Sequence, residues 1–142
     1  MAWTRLKAKI EDLFAASLRG RVTVHMTSYR GGVSEGGRGW LLIDREELPL
    51  AAIQPSGAEQ GPGQHGQWSL HDALAAYLEF ALPAALGSAD PVHRGLALID
   101  RRLGRRRFEA LRFSAGEHPL VVRLYQLRAE AEGWRSALAG AA

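Results

Sequence analysis

Residues 21–30 read RVTVHMTSYR, and the reading of this stretch decides the fold. Val22, Val24 and Met26 alternate with Thr23, His25 and Thr27. That period of two turns one set toward a core and the other toward solvent, as in a half-buried strand. Before it, Trp3, Leu6, Ile10, Leu13, Phe14 and Leu18 recur at helical spacing, with Lys7, Lys9, Glu11 and Asp12 on the other side. A helix is expected over 3–18, closed by Gly20. After it, GRGWLLIDREEL predicts a second strand at about 38–44, and GGVSEGG between the two supplies a hairpin loop. A third strand is expected at 48–53, with Pro49 marking it as an edge.

The stretch 55–66, PSGAEQGPGQHG, has no apolar periodicity and is expected to be a flexible loop before a helical half. Ser69 and Asp72 have the spacing of a capping box ahead of ALAAYLEFAL. Pro83 is expected to start a short helix at 83–87. Asp90-Pro91 joins an N-cap oxygen to a proline whose missing N–H costs nothing at the first helical position. The helix it opens is expected to reach Leu103 and stop at Gly104. A short helix at 105–112 follows, and His118-Pro119 opens a last one to about Ala131. The stretches DPVHRGLALIDRR and HPLVVRLYQLRAE begin alike, 28 residues apart, which suggests stacked helical hairpins. The expected fold class is α+β: an N-terminal helix, an antiparallel meander of two or three strands, then a bundle of three to five helices. One domain over 1–142 is expected, made of 1–54, the loop 55–66, the helical part 67–135 and a frayed tail 136–142.

Composition removes several chemistries. The chain has no cysteine, so a Cys nucleophile, thiolate-bound zinc, an iron–sulfur cluster and disulfides are excluded. Its five histidines show no i, i+4 chelating pair, and no metal or cofactor is expected. The start MAWTRLKAKIEDLF has no apolar h-region and no apolar run is long enough to span a bilayer, so a cytoplasmic protein without membrane contact is expected. GVSEG at 32–36 spells a hydrolase elbow, but its flanks read as two strands of a hairpin rather than strand and helix. GPGQHG at 61–66 spells a dinucleotide fingerprint without the strand that must lead into it.

Charge is unevenly placed. Residues 1–92 hold eight basic and ten acidic groups, whereas 93–142 hold ten basic and five acidic. Six arginines fall within LIDRRLGRRRFEALRF at 98–113, and Arg105, Arg106 and Arg107 sit in the first turn of a helix, where the macrodipole disfavours them. An anion would relieve that conflict, as would internal pairing with Asp100, Glu109, Glu130 or Glu132. The leading expectation is a non-enzymatic protein that binds an acidic partner (nucleic acid, an acidic protein or a phosphate-bearing ligand) through Arg94, Arg101, Arg102, Arg105, Arg106 and Arg107. An alternative is a small enzyme acting on an anionic substrate, with His71, Asp72 or Asp100 as acid–base groups. A third is a dimerisation module using Val121, Val122 and Tyr125, because the first half of the last helix is apolar nearly all round.

Taken together, GRVTVHMTSYR, GRGWLLID, LHDALAAYL, DPVHRGLALIDRRLGRRRFEAL and HPLVVRLYQLRAEAEG resemble a family of small uncharacterised bacterial proteins. The block DRRLGRRR resembles its usual DRR-x-GKR, with Arg105 where lysine is common. Asp44-Arg45 departs from the family's frequent Asp-Gly after the second strand. The resemblance brings no catalytic residue; it implies a single α+β unit and adds Tyr29, Arg30 and Arg38 to the candidate site.

Overall fold

The computed structural model describes residues 2–28, 37–48 and 67–136. Helix α1 (Trp3–Asp12) leads through a 3₁₀ turn (Ala16–Leu18) into strands β1 (Val22–Ser28), β2 (Gly37–Ile43) and β3 (Glu46–Leu48). Five helices follow: α2 (Gln67–Tyr77), α3 (Leu82–Leu86), α4 (Pro91–Leu98), α5 (Arg105–Ala110) and α6 (Pro119–Glu132). The three strands form one antiparallel sheet in sequence order. This is the expected α+β architecture.

The alternation in β1 holds over its first half, whereas Met26 is only half-buried. Val22 and Val24 are buried, and across the sheet they face Ile43 and Leu41, which are also buried. Helix α1 lies beside β1, with Leu6 and Ile10 in the same core. Helix α2 crosses β2 at Gly39, where a Cβ would stand 2.2 Å from Leu70 Cδ2, so a larger residue there would displace the buried Leu70 side chain. The other close approach is at Gly95 on α4, whose Cβ would lie 2.9 Å from Leu124 Cδ1 of α6.

Several boundaries differ from expectation. Helix α1 ends at Asp12 rather than at 18, and α4 ends at Leu98 rather than at Leu103. Both stop for one reason. The chain after α1 pairs with the chain after α4: the Ala15 N–H donates to Ile99 O at 2.8 Å, the Arg101 N–H donates to Leu13 O at 2.6 Å, and Phe14 and Asp100 form a bridge. A backbone committed to that pairing cannot also continue an i→i−4 ladder. Helix α5 closes at Ala110, two residues short of 112. The third strand starts at Glu46 rather than at 48, because a two-residue turn at Asp44-Arg45 brings the chain back early; its expected course over 49–53 lies outside the described residues. Helix α2 has begun by Gln67, so Ser69 lies inside it and is not an N-cap. Pro49, both glycine-rich motifs and the 55–66 loop lie outside the described residues.

Two start signals read correctly. Asp90 Oδ1 accepts from the Val92 N–H at 2.8 Å, and His118 Nδ1 accepts from the Leu120 N–H at 3.1 Å. Each cap satisfies one orphan donor of its helix. Helix α6 runs to Glu132, one residue past Ala131, and closes on Gly133 at φ 69°. Its apolar first half is explained by burial: Val121 and Tyr125 are fully enclosed, and only Val122 of the three interface candidates keeps partial exposure. Tyr125 stacks on Phe108 of α5 at 4.5 Å and meets the edge of Phe113 at 4.7 Å, which fastens α5 to α6.

Candidate functional site

The arginines between 94 and 107 divide by what they touch. Arg94 donates to Ser88 O at 2.8 Å and to Glu117 Oε1 at 2.7 Å, tying α4 to the loop before α6. Arg102 forks onto Asp100 at 3.0 and 2.8 Å, and this contact raises its pKa further. Arg105 pairs with Glu109 one turn along α5 at 3.1 Å. Arg101 reaches back to α1, donating from Nε to Asp12 O at 3.1 Å, with Nη2 3.9 Å from Asp12 Oδ2. Arg106 and Arg107 are exposed and make no ion pair with any described residue. Of the expected binding set, then, Arg94 is half-buried and paired, Arg102 is exposed but committed to Asp100, Arg105 and Arg101 are partly engaged, and Arg106 and Arg107 face solvent.

Asp100 sits at the centre of a buried polar cluster. Its side chain is closed to solvent, and it accepts from Tyr77 Oη at 2.6 Å, from the Arg102 N–H at 2.8 Å and from the Arg102 fork. Burial and the Asp100 carboxylate together push the Tyr77 hydroxyl well above its ordinary pKa, so it stays a proton donor. A carboxylate enclosed this way is a structural acceptor, out of reach of a substrate. His71 is half-buried on α2, 4.0 Å from the exposed carboxylate of its neighbour Asp72. Tyr29 and Arg30 lie outside the described residues, and Arg38 is placed only by its backbone, opposite Thr27 on β1.

Ser88, Asp90 and His93 also meet, but as a satisfied helix start. His93 Nε2 lies 2.9 Å from Ala73 O, which can only accept, so that nitrogen carries the proton. Nδ1 then accepts from Ser88 Oγ at 3.1 Å. Asp90 Oδ1 is taken by the cap, and Ser88 Oγ accepts from the Asp90 N–H at 3.1 Å. Among the described residues no three His, Asp or Glu side chains are grouped to hold a metal, and no described helix is long and apolar enough to cross a membrane.

Two arginines absent from the expected set matter more to the local structure than most within it. Arg128 is buried. Its Nη1 donates to Leu98 O at 3.0 Å and Asp100 O at 2.9 Å, its Nη2 to Leu103 O at 2.9 Å, and its Nε to Glu132 at 2.9 Å. Its guanidinium lies 4.6 Å over the Trp134 ring. A signal for it existed: Arg128 follows Val121 and Tyr125 at seven and three residues, on the same buried stripe of α6. Arg19 is the second. It donates to Asp12 O at 2.8 Å and Asp12 Oδ1 at 3.0 Å, beside Arg101. It also lines a cleft of about 300 Å³ between α1 and β1. No local pattern marks it, because its neighbours come from three separate segments.

A family model described as the SF0329 protein family matches residues 2–54 and 51–129, which together span most of the chain. No curated protein and no solved structure matches.

Proposed function

For a chain that belongs to the SF0329 protein family, we propose a binding role without catalysis: recognition of an acidic partner by the arginine-rich surface of α4, Gly104 and α5. The observation that carries this reading is Arg106 and Arg107. They are exposed on the six-residue helix α5, consecutive in sequence, and neither pairs with a described carboxylate. Arg101 adds a third guanidinium, 54% exposed and sharing its one carboxylate with Arg19. Exposed guanidiniums without an internal partner are open to a phosphate or carboxylate from outside. Arg94 and Arg102 are paired with Glu117 and Asp100 and support the surface.

Fluorescence anisotropy of labelled single- and double-stranded nucleic acid tests the reading, with affinity followed against salt. Binding is expected at low salt. The R106E/R107E variant is expected to lose at least about tenfold in affinity and to flatten the salt slope by about two. Phe108 is untouched by these changes, so the far-UV circular dichroism stays as it is. Absence of binding at low salt removes nucleic acid as the partner, and equal affinity of the variant refutes the assigned surface.

A further inference from the structure

We propose that Arg135 completes the basic surface of α5, and that the partner held there is the phosphate backbone of a nucleic-acid duplex. The inference rests on the acidic-partner reading above and names the class of that partner. Arg135 lies 26 residues beyond Glu109, outside the arginine run, and folding brings it back. Gly133, left-handed at φ 69°, turns the chain at the end of α6. Trp134 then packs 5.3 Å from Phe108, with the Arg128 guanidinium 4.6 Å over its ring, and the Arg135 N–H donates to Glu109 Oε2 at 2.8 Å. The main chain at Arg135 is thus seated against α5. Arg135 itself is exposed and makes no ion pair with any described residue.

Consecutive residues of a helix point about 100° apart around its axis. With Phe108 buried, Arg105, Arg106 and Arg107 fan around the rest of α5, and Arg135 extends the fan on the side of Glu109. Glu109 is the only carboxylate of α5, is 25% exposed, and also accepts from Arg105 Nε at 3.1 Å. The Arg135 N–H, the Arg105 side chain and the charges of both arginines hold its carboxyl below the ordinary glutamate range, so it stays ionised and shared. Four guanidiniums therefore stand around one carboxylate. A lone phosphate meets one or two of them, because they point in different directions. A nucleic-acid strand repeats its phosphate about every 3.4 Å of axis and meets them in series. A duplex suits the surface better than unpaired bases, which need rings to stack on. Phe108 is buried, Trp134 is taken by Phe108 and Arg128, and Phe113 meets Tyr125 edge-on. Contacts to phosphate alone carry no base preference.

A labelled DNA duplex of mixed sequence, its unpaired strand and a polyglutamate peptide are titrated against the full chain, with the duplex expected to bind most tightly. Arg135→Gln keeps the main-chain N–H on Glu109 and is expected to weaken duplex binding several-fold, lowering the salt slope by about one. Arg5→Gln, on the exposed side of α1, makes the same change in net charge and is expected to leave affinity close to that of the wild type. Glu109→Gln keeps an acceptor oxygen, removes the opposing charge and is expected to tighten binding several-fold. An Arg135→Gln variant that binds no more weakly than Arg5→Gln overturns the proposal. So does a Glu109→Gln variant that binds no better than the wild type, or an unpaired strand that binds as tightly as the duplex. Preference for polyglutamate overturns the duplex and leaves the acidic-partner reading standing, whereas binding of none of the three probes overturns both.

Discussion

At the scale of single residues, backbone geometry and titration each single out one position. Four described residues adopt positive φ: Gly20, Gly133, Asp44 and Arg45. Glycine takes such angles freely and aspartate tolerates them, but an arginine at φ 71° is held there against its preference. The register explains it, since Ile43 pairs with Glu46 and leaves a two-residue turn with both central residues left-handed. Arg45→Gly is expected to stabilise the protein by about 1 kcal/mol, read as a higher midpoint in urea. A lower midpoint would show that the Arg45 side chain holds the turn in place. His25 is the second position. Partial burial, reinforced by Lys7, lowers its pKa below the ordinary value. The unfolded chain therefore takes up a proton first as pH falls below about 6.5, so the stability contributed above that pH declines through the folded pKa. His25→Gln should flatten the stability–pH profile just below 6.5; an unchanged profile would assign that slope to other groups.

Between elements, side chains substitute for missing backbone partners. Strand β1 is an edge, and Val24 directs both main-chain groups away from β2 toward α1. Glu11 accepts from the Val24 N–H at 2.9 Å, Lys7 donates to Val24 O at 2.7 Å, and the two side chains pair with each other. The pair acts as a short polar stand-in for a fourth strand and blunts an edge that would otherwise attract another chain. Glu11→Ala leaves the Val24 N–H without its acceptor and Lys7 without its counter-charge, though still on Val24 O, with an expected cost of about 1–3 kcal/mol in urea denaturation. A cost near zero would mean that water serves Val24 equally well. The early ends of α1 and α4 belong to the same scale. Each helix stops where the following backbone finds a partner in the other.

At the scale of the molecule, Arg128 joins what the local pieces leave open. From α6 it collects three carbonyls of the segment that leaves α4, and so positions Asp100, Leu103 and the Gly104 turn that presents α5. Arg128→Met is expected to cost about 3 kcal/mol or more, because Leu98 O and Leu103 O lose their donor, Asp100 O keeps only the Leu103 N–H, and the Glu132 pair is broken. Arg128→Lys should recover little of this, since an ammonium cannot reproduce a planar fork. Full stability of Arg128→Lys would refute that geometric role. The surface proposed for an acidic partner hangs from this clamp: Arg106 and Arg107 are displayed by α5, which Phe108 and Tyr125 anchor on α6.

By itself the sequence determined whatever depends on neighbours along the chain. The strand at 22–27, the start of the helix expected over 3–18 and the caps at Asp90 and His118 are local patterns, and the structure has each of them. Also legible were the arginine concentration, its conflict with the start of α5, and the pairing of that cluster with Asp100 and Glu109. Tertiary structure alone decided where α1 and α4 end, because the competing hydrogen bonds come from residues more than eighty positions apart. It decided that Asp100 is enclosed, through Tyr77 on a separate helix, and that Val121 and Tyr125 face inward. It also decided which arginines remain available. A guanidinium is structural or free according to the carboxylates and carbonyls that folding brings within about 3 Å of it, and that distance is set in space rather than along the chain.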